Sequence, residues 1–311
     1  MMNYMSHASK MTGRRLPVVR ALLMMRNLLA LGAGFSLCTV SYASAASDLV
    51  TPERSSSIKT TIELPLQGVT LEYKANVRLL QVLDDANASF NANASSNENA
   101  SGSIGYFPLS AQLFDKTNTQ ANESNKAIEA KKRNVFNQLD AFSVEEPEAN
   151  LVRQQLASFQ YLNRVFIELD RNAVISQSDK NPLLVSSSHT NKPSASQTQA
   201  FSLYLPQRPT SIQLMGVMKE SVTMNLIEHG TLNDYLDALP NGFIGEFADK
   251  SLAYVVQPDG VVQTIQYAYW NEQLVYLAPG AIVFMAFYSL PSEFSTLNQD
   301  IVDLLRHKVG L

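Results

Sequence analysis

The sequence predicts an α+β chain made of two similar sheet-plus-helix units, and three observations carry that prediction. The stretch VTLEYKANVRLLQVLDDA (Val69–Ala86) returns as VTMNLIEHGTLNDYLDAL (Val222–Leu239). Without a gap, Val69 meets Val222, Thr70 meets Thr223, Leu79 meets Leu232, Leu83 meets Leu236 and Asp84 meets Asp237. Around each copy, apolar and polar residues alternate with the period of a half-buried strand. Between residues 119 and 161 that period gives way to a helical one, inside the first unit. A strand pair followed by one amphipathic helix buries its apolar face only if the helix crosses a sheet.

The elements follow in order. Thr60–Leu66 and Val69–Tyr73 alternate around Gln67-Gly68, the pattern of a hairpin. A helix over Val77–Asp85 comes next, with Leu79 and Leu83 four apart on one face. Asn87–Ser103 is almost wholly Asn, Ser, Ala and Glu, a composition that cannot supply a core, and it reads as a disordered surface insertion. Ile104–Phe114 resumes extended chain. Ile128, Val135 and Leu139 then form one stripe, and Leu151, Leu156 and Phe159 form another beyond Glu145-Glu146-Pro147. Two amphipathic helices with a tight acidic turn make a helical hairpin. Arg164–Asp170 returns to strand, Ser186–Gln199 is a second polar insertion, and Phe201–Leu205 closes the first unit.

Pro206–Pro209 marks the boundary, giving a first domain over 58–205 and a second over 206–290. The second runs through Ser211–Val217, Val222–Ile227 and a helix at Leu232–Leu239, where Thr231 and Asp234 have capping-box spacing. A hairpin, Leu252–Gln257 and Val261–Tyr267, turns at Pro258-Asp259-Gly260. Leu274–Leu290 is uncharged, but Pro279-Gly280 interrupts it and Val, Ile, Phe and Tyr dominate it, so it reads as two core strands and not as a membrane span. Residues 291–311 form an amphipathic C-terminal helix. Leu297, Ile301, Leu304 and Leu305 make its stripe, with Asn298, Gln299, Asp303 and Arg306 off it.

Residues 1–45 read as a cleavable signal peptide. Lys10, Arg14, Arg15, Arg20 and Arg26 precede the apolar run Leu28–Val40, Ala43-Ser44-Ala45 is a small-x-small cleavage site, and no acid occurs before Asp48. Met24 or Met25 would start a leader of more usual length. The expected location is the periplasm. The leader holds five of the 24 basic residues and none of the 28 acidic ones, so the mature chain carries nine more acids than bases. Such a chain is a poor nucleic-acid ligand, because neutralising phosphates needs clustered Lys and Arg. The single cysteine, Cys38, leaves with the leader, which excludes disulfide and thiol chemistry.

No catalytic constellation stands out. His7, His189, His229 and His307 lack second ligands at metal spacing, so neither metal nor cofactor is expected. Glu168 and Asp170 fall on alternate strand positions and share a face, but nothing places them beside a sugar cleft. Two features read as binding elements. Tyr267, Tyr269 and Trp270 cluster at a strand end, where exposed rings could stack on sugars and buried ones would cap the sheet. Arg133, in Lys131-Lys132-Arg133, is the most basic spot of the mature chain.

The fragments NRVFIELD, NPLL, YLPQRP, QPDG with YAYWN, PGA and the terminal LNQDIVDLLRHKVG, in that order, resemble the GfcC/YjbG capsule-biosynthesis proteins. The resemblance covers most of the mature chain and is strongest from Arg164 onward. It implies two β-grasp (ubiquitin-like) domains, similar to the SLBB-like soluble domains of outer-membrane polysaccharide exporters. A helical hairpin would be inserted in the first, and an amphipathic helix would end the chain. It also implies a non-catalytic periplasmic role in assembling or exporting capsular polysaccharide or exopolysaccharide. Expected partners are outer-membrane export or companion capsule proteins, or the polysaccharide itself. A suspected arginine of the family's hairpin falls on Arg133, and Tyr269 and Trp270 are the other ligand candidates. The stripe Leu297, Ile301, Leu304, Leu305 is the expected partner-docking face, separable from both folded domains. The alternative reading is a periplasmic polysaccharide-modifying enzyme with an unrecognised site.

Overall fold

Each sheet grows from one hairpin and one parallel return strand. A computed structural model describes residues 59–93, 105–117, 123–187 and 198–310. The leader and parts of both polar insertions lie outside the described residues. In the first sheet β1 (Thr60–Leu64) pairs antiparallel with β2 (Val69–Tyr73) and parallel with β5 (Gln199–Tyr204). Beyond β5 come β3 (Gln112–Asp115) and β4 (Asn163–Val165), both antiparallel, giving the order β2-β1-β5-β3-β4. The second sheet repeats the plan. β6 (Ser211–Gly216) pairs antiparallel with β7 (Val222–Asn225) and parallel with β10 (Ile282–Phe287), then β8 (Ala248–Val256) and β9 (Val262–Gln266) follow, in the order β7-β6-β10-β8-β9.

The internal repeat is the second strand of each sheet with the helix after it. α1 (Leu79–Asn93) follows β2, and α5 (Leu232–Asp237) follows β7. Leu79, Val82, Leu83 and Ala86 of α1 are fully buried against Ile62, Leu113, Phe201 and Leu203. In α5, Leu232 and Tyr235 are buried with Ile212, Leu214, Ala253 and Val283. At the start of α5, Asp234 accepts hydrogen bonds from the Thr231 N–H (2.7 Å) and from its hydroxyl (3.0 Å). These bonds to the charged form hold the Asp234 carboxyl below its usual range.

Between β3 and β4 the chain leaves its own sheet. It builds α2 (Glu123–Phe142) and α3 (Glu148–Ala157), and their apolar faces pack on the second sheet. Ile128, Val135, Leu139, Val152 and Leu156 share a core with Met215, Val217, Phe284 and Phe287. The second sheet is therefore covered on both faces, by α5 on one and by the hairpin on the other. The central strand β10 reads IVFMAF, is buried at every position, and has no polar face to show.

Two polar anchors fix the hairpin. The buried Gln155 amide donates to Gly216 O (3.0 Å) and Met218 O (3.2 Å) and accepts from Gly216 N (2.9 Å). The Glu148 carboxylate accepts from the backbone N–H groups of Glu246 (2.9 Å) and Phe247 (3.1 Å). Gly216 has φ +113°, and a Cβ there would strike the Met285 carbonyl oxygen, so only glycine fits.

Several expectations need correction. α1 continues to Asn93, so the polar tract after Asn87 begins as helix, tied at Asn87 by a bond from Gly105 N (3.3 Å). β4 ends at Val165. Asp170 is not a strand residue but the N-cap of α4 (Arg171–Ser176), accepting from Asn172 N at 2.9 Å. Leu274–Leu290 holds one strand, β10, not two. Its first half is irregular chain whose Val275 and Leu277 pack in the same core as Leu232 and Tyr235 of α5.

The largest correction concerns α6 (Leu297–Leu305). Leu297, Ile301, Leu304 and Leu305 are buried in the same core as α2, α3 and the second sheet, so the stripe is no free docking face. Asn298, expected to face away, donates to Phe287 O (2.9 Å) and accepts from Phe287 N (3.0 Å), closing the end of β10. Gln138 of α2 donates to Asp300 (2.9 Å). Each fully buried Leu or Ile contributes roughly 1.5–3 kcal/mol, which together rivals the whole stability of a typical domain. Truncation after Ser295 should therefore abolish the cooperative thermal transition followed by circular dichroism. A truncated chain that still melted cooperatively within a few degrees of the native one would contradict this packing.

Candidate ligand-binding surface

After β9 the chain reverses in a tight turn, Ala268–Asn271, closed by a hydrogen bond from Asn271 N to Ala268 O (2.9 Å). The base of the turn is rigid. Tyr267 is buried in the α5 core and donates its hydroxyl to Asp249 O (2.5 Å), and Asn233 of α5 donates to Tyr267 O (3.1 Å). Burial pushes the Tyr267 phenol up, so it remains a donor. The tip is the opposite: Tyr269 is 97% exposed and Trp270 78%. The three aromatics thus divide, one anchoring and two projecting.

More exposed apolar side chains follow along the same loop, and together they are called the belt below. Leu274 and Tyr276 on the same loop are exposed, and Tyr276 meets His229 edge-to-face at 6.2 Å. His229 takes a left-handed backbone (φ 59°) in the turn before α5, an uncommon conformation for a residue with a side chain. Ile227 beside it is also exposed. Rings and aliphatic groups presented to water at a fixed loop offer contact area at low entropic cost, the pattern of an interaction site.

Arg133 lies on α2, turned away from the stripe of Ile128, Val135 and Leu139, and is exposed. Its neighbours are engaged: Lys131 reaches Asp303 at 4.0 Å, and Lys132 lies over the Phe136 and Tyr161 rings at 5.9 and 5.7 Å. Nothing in the structure brings Arg133 together with Tyr269 and Trp270. The four α6 residues belong to the core, as described.

A junction that sequence reasoning passed over joins the two sheets. Arg164 of β4 is 7% exposed, and its guanidinium donates to Pro258 O in the β8–β9 turn at 2.6 Å. Burial pushes its pKa down to about 10, so it stays charged at neutral pH. Phe166 packs against Gly260 of that turn, where φ is +88° and a Cβ would meet the ring. The Arg306 guanidinium lies 4.5 Å from the Phe166 ring centre and its Nε donates to Gly260 O at 2.8 Å. His307 meets the Phe166 ring edge-to-face at 5.5 Å and accepts from Arg164 N at 3.2 Å through Nδ1. The sequence signal was present, since NRVFIELD, QPDG and LLRHKVG are the fragments that meet here, but no spacing rule links segments so far apart. Glu168, weighed as an acid/base candidate, pairs with Lys180 at 3.1 Å. Its carboxyl is held below the usual range, because bonds from Asp170 N and Lys180 outweigh the opposing effect of burial.

Residues 220–310 match the family described as "Capsule biosynthesis GfcC C-terminal". This stretch holds the aromatic belt, the β8–β9 turn and α6. The chain is also 28% identical over 164 residues to the uncharacterized protein YjbG of Escherichia coli K12. Both matches support a relationship to the GfcC/YjbG capsule-biosynthesis proteins. The match to YjbG covers 51% of this chain and 60% of the relative's length. Arg133 lies outside the segment matched to the family.

The junction generates a pH dependence. Burial, with Lys131, Arg306 and Arg164 nearby, pushes the His307 pKa down from 6.5 to about 4, against a hydrogen bond from the imidazole to the Leu162 backbone. The unfolded imidazole takes a proton below about pH 6.5 while the folded one does not, so acid favours unfolding. The native chain should lose stability between pH 6.5 and about 4 relative to His307→Gln, by at most about 1.4 kcal/mol per pH unit. Denaturant titration of both chains across that range measures it. Parallel pH profiles would show that the imidazole is not held neutral.

Proposed function

We propose that this chain is a non-catalytic periplasmic accessory in the assembly or export of capsular polysaccharide or exopolysaccharide, and that it holds glycan on the aromatic belt of its second sheet. The observation that carries this reading is the pair Tyr269 and Trp270, projecting from a turn whose base is locked by Tyr267 and Asn233. Flat rings held open to water stack on the C–H faces of sugars, and a pre-positioned pair loses little entropy on binding. The belt lies in the segment matched to a family associated with capsule biosynthesis.

The strand order two-one-five-three-four, with a helix after the second strand, supports reading both sheets as β-grasp domains of the kind found in soluble parts of polysaccharide exporters. On this reading the chain acts as a rigid contact module beside an outer-membrane export protein or a companion capsule protein. Arg133 is a second contact, because an exposed guanidinium suits a carboxylate or phosphate in two-point geometry.

Trp270 is the only tryptophan in the chain, so its emission reports on the belt alone. Adding purified capsular oligosaccharide should shift Trp270 emission to the blue. Tyr269→Ala should weaken the titration at least tenfold, with a melting temperature changed by less than about 2 °C, as for surface substitutions generally. In cells, Tyr269→Ala/Trp270→Ala should reduce surface polysaccharide, and Arg133→Ala, run alongside, should do so without moving the emission titration. Unchanged emission together with normal polysaccharide in the double variant would overturn the glycan reading.

A further inference from the structure

The tail after α6 zips against the end of α3. Leu162 N donates to His307 O (3.0 Å), Val309 N donates to Gln160 O (2.9 Å), and Tyr161 bridges to Lys308. This pairing turns the Lys308 side chain inward, where the residue is 6% exposed. It lines a cavity of about 440 Å³ between the α3 end and the β6–β7 side of the second sheet. Ser158, Gln160, Ser211, Gln213 and Thr223 supply hydroxyls and amides to the same walls. Lys308 is the one ionisable residue among those that line it.

A buried ammonium normally has a carboxylate, because an unpaired charge in a low dielectric is costly. Lys308 has none. Its Nζ donates to Gly310 O at 3.3 Å and lies 4.9 Å from the Phe159 ring centre, which satisfies one of three donors and leaves the charge without a carboxylate among the described residues. Burial alone pushes its pKa down to about 8, so at neutral pH the group is still mostly charged. The cavity volume falls within the range of small-ligand sites.

We propose that this cavity binds a sugar bearing a carboxylate, a uronate unit, with the Lys308 ammonium as its counter-ion. One cation fits a monoanion such as a carboxylate better than a doubly charged phosphate. The hydroxyl and amide groups around it match the many donors and acceptors of a sugar ring, and the half-buried Phe159 offers an apolar face. The uronate thus accompanies neutral contacts at the belt and gives the chain a means to distinguish acidic from neutral polymers. The sugar part rests on the glycan reading above; the anion part rests on Lys308 and its cavity.

The test compares cellobiouronate with cellobiose, which differ by one carboxylate, and adds acetate, all titrated calorimetrically into the full chain. At pH 6.5 cellobiouronate should bind at least tenfold more tightly than cellobiose. That advantage should vanish in Lys308→Met and shrink as pH rises above about 8. Lys308→Met keeps the apolar stem and removes a buried charge, so its thermal transition should be retained. Equal affinity for the two disaccharides, or an advantage that survives in Lys308→Met, overturns the proposal. Acetate binding as tightly as cellobiouronate overturns its sugar part. If Lys308→Met does not fold, the native pH profile decides, and an advantage undiminished above pH 8 rules out the ammonium. Tyr269→Ala/Trp270→Ala keeps the two readings apart: the disaccharide advantage should persist in it even if polymer binding is lost.

Discussion

The side-chain amide of Gln155 joins a helix encoded within the first sheet to the end of β6 in the second. β7 pairs with β6 only as far as Leu214, so the Gly216 N–H at the end of β6 has no strand partner on that side. Gln155 supplies an acceptor for that N–H and donates to two carbonyls, Gly216 O and Met218 O. A net contribution of about 1 kcal/mol per hydrogen bond understates its role, because removing it leaves several buried polar groups unpaired, at about 1–3 kcal/mol each. Gly216 is what allows the approach, since any side chain there would drive β6 off β10. With Gln155 in place the apolar faces of α2 and α3 lie over β6, β8 and β10, and α6 fills the remaining space.

Two sheets of like topology are thereby made unequal. The first keeps α1 and a core of its own, centred on Ile62, Leu83, Leu113 and Phe201. The second borrows two helices from the first and one from the C-terminal segment, so that β10 is buried along its whole length. The Arg164–Phe166–Arg306–His307 junction adds a second tie, with guanidinium groups bonded to the Pro258 and Gly260 carbonyls of one turn. A body braced in this way suits presentation of a fixed surface. The belt at Tyr269 and Trp270 is anchored through Tyr267 to β8, and the Lys308 cavity is formed where the tail pairs with the end of α3.

Much of this was legible in the sequence, and the pattern of success is physical. Local periodicity located the hairpins and the helices, because strand alternation and the seven-and-four spacing of Ile128, Val135 and Leu139 depend only on near neighbours. The internal repeat exposed the common plan of strand and helix. Partner choice was not legible. The stripe of Leu297, Ile301, Leu304 and Leu305 says that a helix face must be covered, and nothing in the stripe says by what. The α2–α3 hairpin was assigned to the unit that encodes it, whereas its apolar face belongs to the other sheet. Leu274–Leu290 failed for a different reason: Val275 and Leu277 are apolar because they cover α5's side of the core as irregular chain, and composition alone cannot separate that from a strand. At the candidate surface, Tyr269 and Trp270 were named as ligand candidates without Tyr267, and Lys308 was invisible, because only the folded tail turns it inward.

The central claim is energetic: the hairpin inserted in the first sheet is part of the second sheet's cooperative unit. Native-state hydrogen exchange in low denaturant measures this directly, because elements that open together share one free energy and one denaturant dependence. The amides of α2, α3 and α6 should exchange with the same opening free energy as those of β6 and β10, with the Gly216 N–H among them. Opening of α2 and α3 together with β3 and β4, while β6 and β10 stay protected, would contradict the account.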